Sequence, residues 1–259
     1  MSDFPIVTQW MEHAVSEPSR SVVLAAPMIR NRATNTKGSS WLVSPRHVVT
    51  NEHVVRGATE SDLEVAFATG LTSRPSCIAA LDVDLDLAVL ELATSQTMDA
   101  IKLDLRQPNV GTCVHAWGFP LAYSGPAPIL SVGYLAGFEA RILNGVTRRR
   151  MVINGALNPG NSGGPIVDPS TGALLGVAVT KHAPFPQAIR EALEDLSQRE
   201  EGLYADNPRG GPSRNESQII ADVLNHLRTL TQVVIGEAIP AEDVSQFLTA
   251  KTIPWQRVA

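Results

Sequence analysis

Residues 158–165 read Asn-Pro-Gly-Asn-Ser-Gly-Gly-Pro, and this octapeptide carries the strongest chemical signal in the chain. A serine hydroxyl attacks a carbonyl only when a neighbouring base removes its proton, so Ser162 is interpreted as a nucleophile that needs partners elsewhere in the sequence. Gly160 permits a tight turn that aims backbone N–H groups inward. The N–H groups of Gly160 and Ser162 are therefore predicted to form an oxyanion hole, with Asn161 orienting the loop.

The proposed partners lie upstream of the serine. His53 stands in Thr-Asn-Glu-His-Val-Val, where an apolar run ends in a short polar turn that presents an imidazole at a strand end. Asp86 directly precedes the apolar run Leu-Ala-Val-Leu and is predicted to bind Nδ1–H of His53, which leaves Nε2 free to accept the serine proton. Asp82 and Asp84 remain alternatives to Asp86, although both are interpreted as solvated turn carboxylates.

These three blocks resemble the active-site segments of chymotrypsin-fold serine proteases, and most of all those of the HtrA/Deg branch. They occur in the order His, Asp, Ser with gaps of 33 and 76 residues. Further similarity lies in Gly38-Ser-Ser-Trp-Leu-Val-Ser-Pro, Ala116-Trp-Gly-Phe-Pro and Leu174-Leu-Gly-Val-Ala-Val-Thr, so the resemblance spans roughly residues 20–182. It implies a serine endopeptidase that forms an acyl-enzyme. No PDZ-like module is expected in the remaining residues, which is a departure from typical HtrA proteins.

Many short apolar runs without regular intervening helices predict an all-β core. The resemblance implies two six-stranded antiparallel β-barrels, with His53 and Asp86 in the first and Ser162 in the second. The predicted strands are residues 22–25, 41–43, 47–49, 63–67, 87–92, 114–117, 132–138, 146–153, 165–167 and 174–179.

Three segments are predicted. Residues 1–18 contain an amphipathic helix over residues 3–15, residues 19–183 form the double-barrel domain, and residues 184–259 form a helical C-terminal extension. The extension is predicted to contain helices at residues 187–203 and 216–234, the second with a capping box between Asn215 and Gln218. It is interpreted as a cap on the second barrel, or alternatively as an element for binding an activator or for self-association.

The substrate is expected to be a polypeptide that binds as an extended strand. Ala156 stands six residues before the serine, where tryptic specificity would need an acid. With Leu157, Val179 and Thr180 it is predicted to form the specificity pocket. The pocket therefore favours a small or medium apolar side chain at the residue before the scissile bond.

Other partner classes are not expected. Neither the histidines nor Cys77 and Cys113 fall at metal-ligand spacings, and the proposed chemistry needs no cofactor. A net charge of −5 and a pI near 5.7 give no basis for nucleic-acid binding. No apolar run is long enough for a bilayer, and the start of the sequence lacks the pattern of a secretory signal, so a cytoplasmic location is expected. Arg148-Arg-Arg150 is interpreted as a solvated strand, with docking of an acidic substrate or activator as the alternative.

Two other functions fit parts of the sequence. The run from Gly160 to Gly164 also satisfies the G-x-S-x-G pattern of α/β-hydrolases, which would make the chain an esterase. In that class the acid and the histidine follow the serine, whereas here the candidates precede it. The second alternative is a catalytically silent scaffold that binds peptides without cutting them.

Overall fold

The computed structural model describes residues 15–143, 145–179, 187–199, 204–205, 214–230 and 235–258. The helix predicted over residues 3–15 falls almost entirely outside these ranges. The described α-helices are α1 (Ser19–Leu24), α2 (Glu52–Val55), α3 (Gln187–Gln198), α4 (Glu216–Leu230) and α5 (Ala241–Ala250), with one 3₁₀ turn at Glu60–Asp62. Within the ranges given above, no helix is long and apolar enough to cross a bilayer.

The N-terminal half of the core, residues 15–112, contains two four-stranded antiparallel sheets. The first has the order β2-β1-β5-β6 and the second the order β3-β4-β8-β7. Their strands are β1 (Met28–Asn31), β2 (Thr36–Ser39), β3 (Trp41–Ser44), β4 (His47–Thr50), β5 (Leu63–Ala66), β6 (Thr72–Ser73), β7 (Pro75–Asp82) and β8 (Leu87–Leu92).

The sequence predicts a closed six-stranded barrel in this half, and that closure is not confirmed. The chain leaves the first sheet at Ser40, whose N–H and hydroxyl both donate to the carbonyl of Pro27 instead of continuing a strand ladder. It leaves the first sheet again between β6 and β7, and β7 begins at Pro75, which has no N–H to donate. The inter-strand hydrogen bonding is therefore interrupted at both points where the chain leaves the first sheet.

The C-terminal half of the core is a closed barrel with the strand order β10-β11-β16-β13-β12-β9. Alternate side chains of its strands fill the interior, among them Leu135, Met151 and Ala238. Leu143 pairs with Val146, so the strands predicted at residues 132–138 and 146–153 lie in one β10–β11 hairpin. The strands are β9 (Cys113–Gly118), β10 (Ile129–Leu143), β11 (Val146–Gly155), β12 (Pro165–Val167), β13 (Leu174–Val179) and β16 (Ile235–Pro240).

Residues 181–233 form a separate compact unit, within which the structure describes α3, α4 and the short pair β14 (Tyr204–Ala205) and β15 (Arg214–Asn215). The N–H of Asn215 donates to Oε1 of Gln218 at 3.1 Å, and the N–H of Gln218 donates to Oδ1 of Asn215 at 2.9 Å. These are the reciprocal bonds of the predicted capping box. The last residues do not continue this unit, because β16 completes the barrel and α5 follows it.

Two predictions about elements were wrong. Residues 22–25 were predicted as a strand, but Val22 and Val23 lie in α1 and are both buried. Neighbouring side chains of a strand point to opposite faces, so burial of both fits a helix packed on the core better than a half-exposed strand. The extension predicted as helical over residues 184–259 contains β16, whose partners on β11 and β13 are distant in sequence.

Candidate active site

His53 lies on the short helix α2, which closely follows β4, and its imidazole contacts Asp86. The backbone N–H of His53 donates to Oδ1 of Asp86 at 3.0 Å, and Nδ1 of the imidazole lies 2.9 Å from each carboxylate oxygen. An ionised carboxylate only accepts hydrogen bonds, so this contact requires the proton on Nδ1 and leaves Nε2 as the basic nitrogen.

The turn that carries Asp86 is held by several hydrogen bonds. Asp86 has a φ of +60°, a left-handed conformation that is uncommon outside glycine. Nδ2 of Asn51 donates to the carbonyl of Asp86 at 2.8 Å, and the N–H of Leu85 donates to Oδ1 of Asp82 at 2.9 Å. Of the three aspartates considered from the sequence, Asp86 contacts the histidine and Asp82 caps its turn. Asp84 lies exposed on the same turn.

Ser162 is buried in a loop between two glycines with positive φ, Gly160 at +99° and Gly163 at +83°. A Cβ at Gly160 would lie 2.3 Å from the carbonyl oxygen of Phe119, and one at Gly163 would lie 2.2 Å from that of Ser39. Only glycine fits both positions. A Cβ at Gly163 would also lie 3.0 Å from the backbone N of Asn51, so the serine loop packs against the segment that leads to His53.

The peptide units around the serine have fixed orientations. The carbonyl of Pro159 accepts the N–H of Leu121 at 2.8 Å, and the carbonyl of Asn161 accepts the N–H of Gly164 at 2.9 Å. Because a trans peptide unit is planar, the N–H groups of Gly160 and Ser162 point away from these anchored carbonyls. The N–H of Asn161 donates to the carbonyl of Asn158 at 2.9 Å, so both backbone polar groups of Asn161 are hydrogen-bonded within the loop. Its side-chain Oδ1 is buried without a hydrogen-bond partner among the described residues.

Ser39, for which the sequence analysis gave no role, contacts this loop from β2. Its N–H donates to the carbonyl of Ser162 at 2.8 Å. Its hydroxyl donates to the carbonyl of Gly160 at 2.7 Å and accepts the N–H of Phe119 at 2.9 Å. Its carbonyl accepts the hydroxyl of Thr50 at 2.7 Å. One buried residue therefore connects the serine loop to the strand that ends before His53.

A histidine and an aspartate in direct contact, beside a glycine-flanked serine loop, are the elements of serine peptidase chemistry. The family model of the trypsin-like peptidase domain matches residues 38–177, more than half of the chain. The chain belongs to the trypsin-like peptidase domain family. The matched range contains all three segments quoted from the sequence.

Known proteins similar to this chain include members of the HtrA/Deg branch, which confirms the resemblance inferred from the sequence. Protease Do-like 1, chloroplastic, of Arabidopsis thaliana is 37% identical over 150 residues, covering 53% of this chain and 31% of the relative. Serine protease Do-like HtrB of Bacillus subtilis is 32% identical over 139 residues, covering 51% of this chain and 29% of the relative. The chain thus spans about a third of the length of these relatives. The cytoplasmic location expected from the sequence is not supported, since the relatives include chloroplastic and mitochondrial forms.

Solved structures share the fold. The inactive form of the Rv3671c protease from M. tuberculosis superposes with a TM-score of 0.59 and 17% identity, covering 89% of this chain and 90% of that one. An HtrA-type protease, an AlgW variant solved with a tripeptide, gives a TM-score of 0.61 and 19% identity, covering 89% of this chain and 60% of that one. The chymotrypsin-like all-β fold predicted from the sequence is confirmed at this level.

The residues predicted to form a specificity pocket have different environments in this peptidase domain. Ala156 is half-buried beside the serine loop, whereas Leu157 is buried in the barrel core, where a Cβ at Gly236 would lie 2.4 Å from its side chain. Val179 is half-buried at the end of β13 and pairs with Glu237. Thr180 lies outside the described residues.

Glu237 is a second residue that the sequence analysis missed, because β16 was not predicted. Burial raises its pKa to about 7, against the opposing effect of Arg141, whose guanidinium lies 2.7 Å from Oε2. Cross-strand neighbours in an antiparallel sheet share a face, so Glu237 and Val179 lie on the same side of the barrel wall. A strand signal at Ile235–Pro240 in the sequence would have been needed to find it.

Proposed function

We propose that this peptidase domain is a serine endopeptidase in which His53, Asp86 and Ser162 act as the catalytic triad. Nε2 of His53 takes the proton from the hydroxyl of Ser162 as the oxygen attacks the scissile carbonyl, and later returns it to the leaving amine. Asp86 stays ionised, orients the ring through Nδ1–H and stabilises the imidazolium. The contact at 2.9 Å between Nδ1 of His53 and the carboxylate of Asp86 carries this proposal.

We infer that the tetrahedral intermediate is stabilised by the backbone N–H groups of Gly160 and Ser162. Support comes from the anchored carbonyls of Pro159 and Asn161, which fix the direction of both N–H groups before substrate binds. Preorganised donors of this type contribute about 3 kcal/mol each to transition-state stabilisation. The acyl-enzyme on Ser162 is then hydrolysed by a water that His53 activates.

The proposed substrate is a polypeptide in an extended conformation, held by main-chain hydrogen bonds. We propose a small or medium apolar side chain before the scissile bond, because Ala156 offers no charge to a basic side chain. The carboxylate of Glu237, although near Val179, is already paired with Arg141. Cleavage of a peptide library would show this preference, and a dominant preference for Arg or Lys would contradict it.

Labelling with a serine-directed fluorophosphonate tests the proposed activity. We expect the wild-type chain to be labelled, with loss of labelling in Ser162→Ala and a strong decrease in His53→Ala. Ser40→Ala is a matched control, since its hydroxyl is also buried but bonds to Pro27. A folded wild-type chain that neither reacts with the probe nor cleaves peptides would favour the silent peptide-binding scaffold instead.

Self-association, or binding of an activator, through residues 184–259 stays a prediction. The described part of α4 exposes Ile219, Ile220, Val223 and Leu224. These side chains are apolar, as an interface would require.

A further inference from the structure

Arg150 has an unusual environment for an arginine. It lies on β11 between the exposed Arg149 and the barrel-core residue Met151, and only 4% of its surface is exposed. Met151 points into the barrel, so Arg150 lies on the outer face of the barrel wall. A buried guanidinium is costly unless hydrogen bonds and opposite charges compensate it, so its contacts indicate why the residue is there.

One of these contacts reaches the turn that carries the catalytic acid. Nη2 of Arg150 donates to the carbonyl of Leu85 at 2.9 Å, and Leu85 directly precedes Asp86. Its Nη1 is buried without a hydrogen-bond partner among the described residues. The charges of Asp86, Glu237 and Asp243 favour the guanidinium, whereas burial and the charge of Arg141 act against it and lower the pKa of Arg150.

The turn at Asp86 needs such support. A left-handed conformation at a residue other than glycine costs on the order of 1 kcal/mol, and neighbouring contacts must hold it. Two of the hydrogen bonds described above link the turn to Asn51 and to Asp82, which lie in the same half of the core. The bond from Arg150 comes from the barrel, which also carries Ser162.

We propose that Arg150 is a positioning residue for the catalytic acid. It fixes the Leu85–Asp86 turn on the barrel so that the carboxylate stays in contact with Nδ1 of His53 while the serine reacts. This inference rests on the roles proposed above for His53 and Asp86. Arg150 does not touch the substrate, and it acts through the backbone of the turn.

The test uses Arg150→Gln and Arg150→Lys in the full chain, with Arg149→Gln as the matched control. Arg149 is the preceding residue, is exposed, and lies 5.5 Å from the ring centre of Phe138. For Arg150→Gln we expect kcat to fall about 10-fold or more with KM changed less than about 2-fold, since small misplacements of a catalytic group cost this much. Arg150→Lys keeps the charge but reaches less far, so its kcat should be intermediate. Arg149→Gln should match the wild type.

A second readout separates this inference from the proposed function. The Nδ1 proton of His53, bound to a carboxylate, gives a far-downfield proton resonance, and we expect it to shift or broaden in Arg150→Gln but not in Arg149→Gln. Wild-type kcat and an unchanged resonance in folded Arg150→Gln would overturn the inference while the triad stands. If Arg150→Gln does not fold, wild-type values of both quantities in Arg150→Lys would overturn it. If the wild type is inert toward peptides and probes, the proposed function fails and the resonance alone decides the positioning role.

Discussion

Removal of the buried hydroxyl of Ser39 should show whether this residue supports catalysis as well as the stability of the domain. Ser39 is 1% exposed, and its hydroxyl joins the carbonyl of Gly160 at 2.7 Å to the N–H of Phe119 at 2.9 Å. The change Ser39→Ala leaves both backbone groups buried without this partner. The Gly160–Asn161 peptide unit is then held through the N–H of Asn161, which donates to the carbonyl of Asn158 at 2.9 Å, but its carbonyl end can tilt. Such a tilt displaces the neighbouring N–H groups of Gly160 and Ser162.

A matched residue is next in the chain. Ser40 is 0% exposed, and its hydroxyl donates to the carbonyl of Pro27 at 2.9 Å, which is not part of the serine loop. Each alanine variant removes one buried donor to a carbonyl. The carbonyl of Pro27 keeps the N–H of Ser40 as a donor, so Ser40→Ala should lower the free energy of unfolding by about 1 kcal/mol and Ser39→Ala by about 1–3 kcal/mol. Only Ser39→Ala should also weaken the proposed oxyanion hole. Complete loss of one donor there costs about 3 kcal/mol, or roughly 10²-fold in kcat, and partial displacement should cost about 10-fold or more.

The assay is steady-state peptide hydrolysis below the unfolding transition of both variants. We expect kcat to fall in Ser39→Ala with KM nearly unchanged, because the hydroxyl is buried away from the surface and acts through the carbonyl of Gly160. Ser40→Ala should keep the wild-type kcat despite its own, smaller loss of stability in chemical denaturation. Equal kcat values for the two variants at equal folded fractions would refute the assignment of Ser39 to the serine loop.

Two further predictions follow from backbone geometry and from charge. Gly160→Ala should abolish hydrolysis and lower the melting temperature, because its Cβ would lie 2.3 Å from the carbonyl oxygen of Phe119. The control is Gly57→Ala, at a φ of +74° where a Cβ meets no atom within 4 Å. It should lower the free energy of unfolding by only about 1–2 kcal/mol and leave activity intact. Comparable losses of activity in the two variants would mean that backbone strain alone explains the effect. In the folded state the pKa of Glu237 is about 7, against an ordinary value of 4.5, so the folded state binds more protons than the unfolded state between these pH values. The free energy of unfolding should therefore fall by up to about 3 kcal/mol as pH rises through this window. Glu237→Gln should flatten that decrease in denaturation measured at about pH 5 and about pH 8, and an unchanged slope would contradict the raised pKa.

The parts of the site that could be predicted from the sequence are those fixed by local chemistry. The contact between His53 and Asp86 was predicted because each residue stands at one end of an apolar run. The tight turn at Gly160 was predicted from the conformational freedom of glycine, and the residue has a φ of +99°. The role of Ser39 could not be predicted in this way, since its hydroxyl meets a carbonyl 121 residues away. Strand β16 was missed for the same physical reason. Its hydrogen bonds go to β11 and β13, which local propensity does not report.

The three consecutive arginines show how a sheet assigns different roles to one sequence motif. They were expected to share a solvated strand, yet only Arg149 is exposed. Arg148 and Arg150 point to the other face of β11, where Arg148 bonds to Asp243 at 2.9 Å and Arg150 reaches the carbonyl of Leu85. Asp243 lies in the first turn of α5, and Leu85 precedes Asp86, so the alternation of the strand directs the two charges toward elements that the sequence places far away. A charge cluster read from sequence therefore predicts an electrostatic potential only after its strand face is known. Here that face directs a cation toward the proposed catalytic acid.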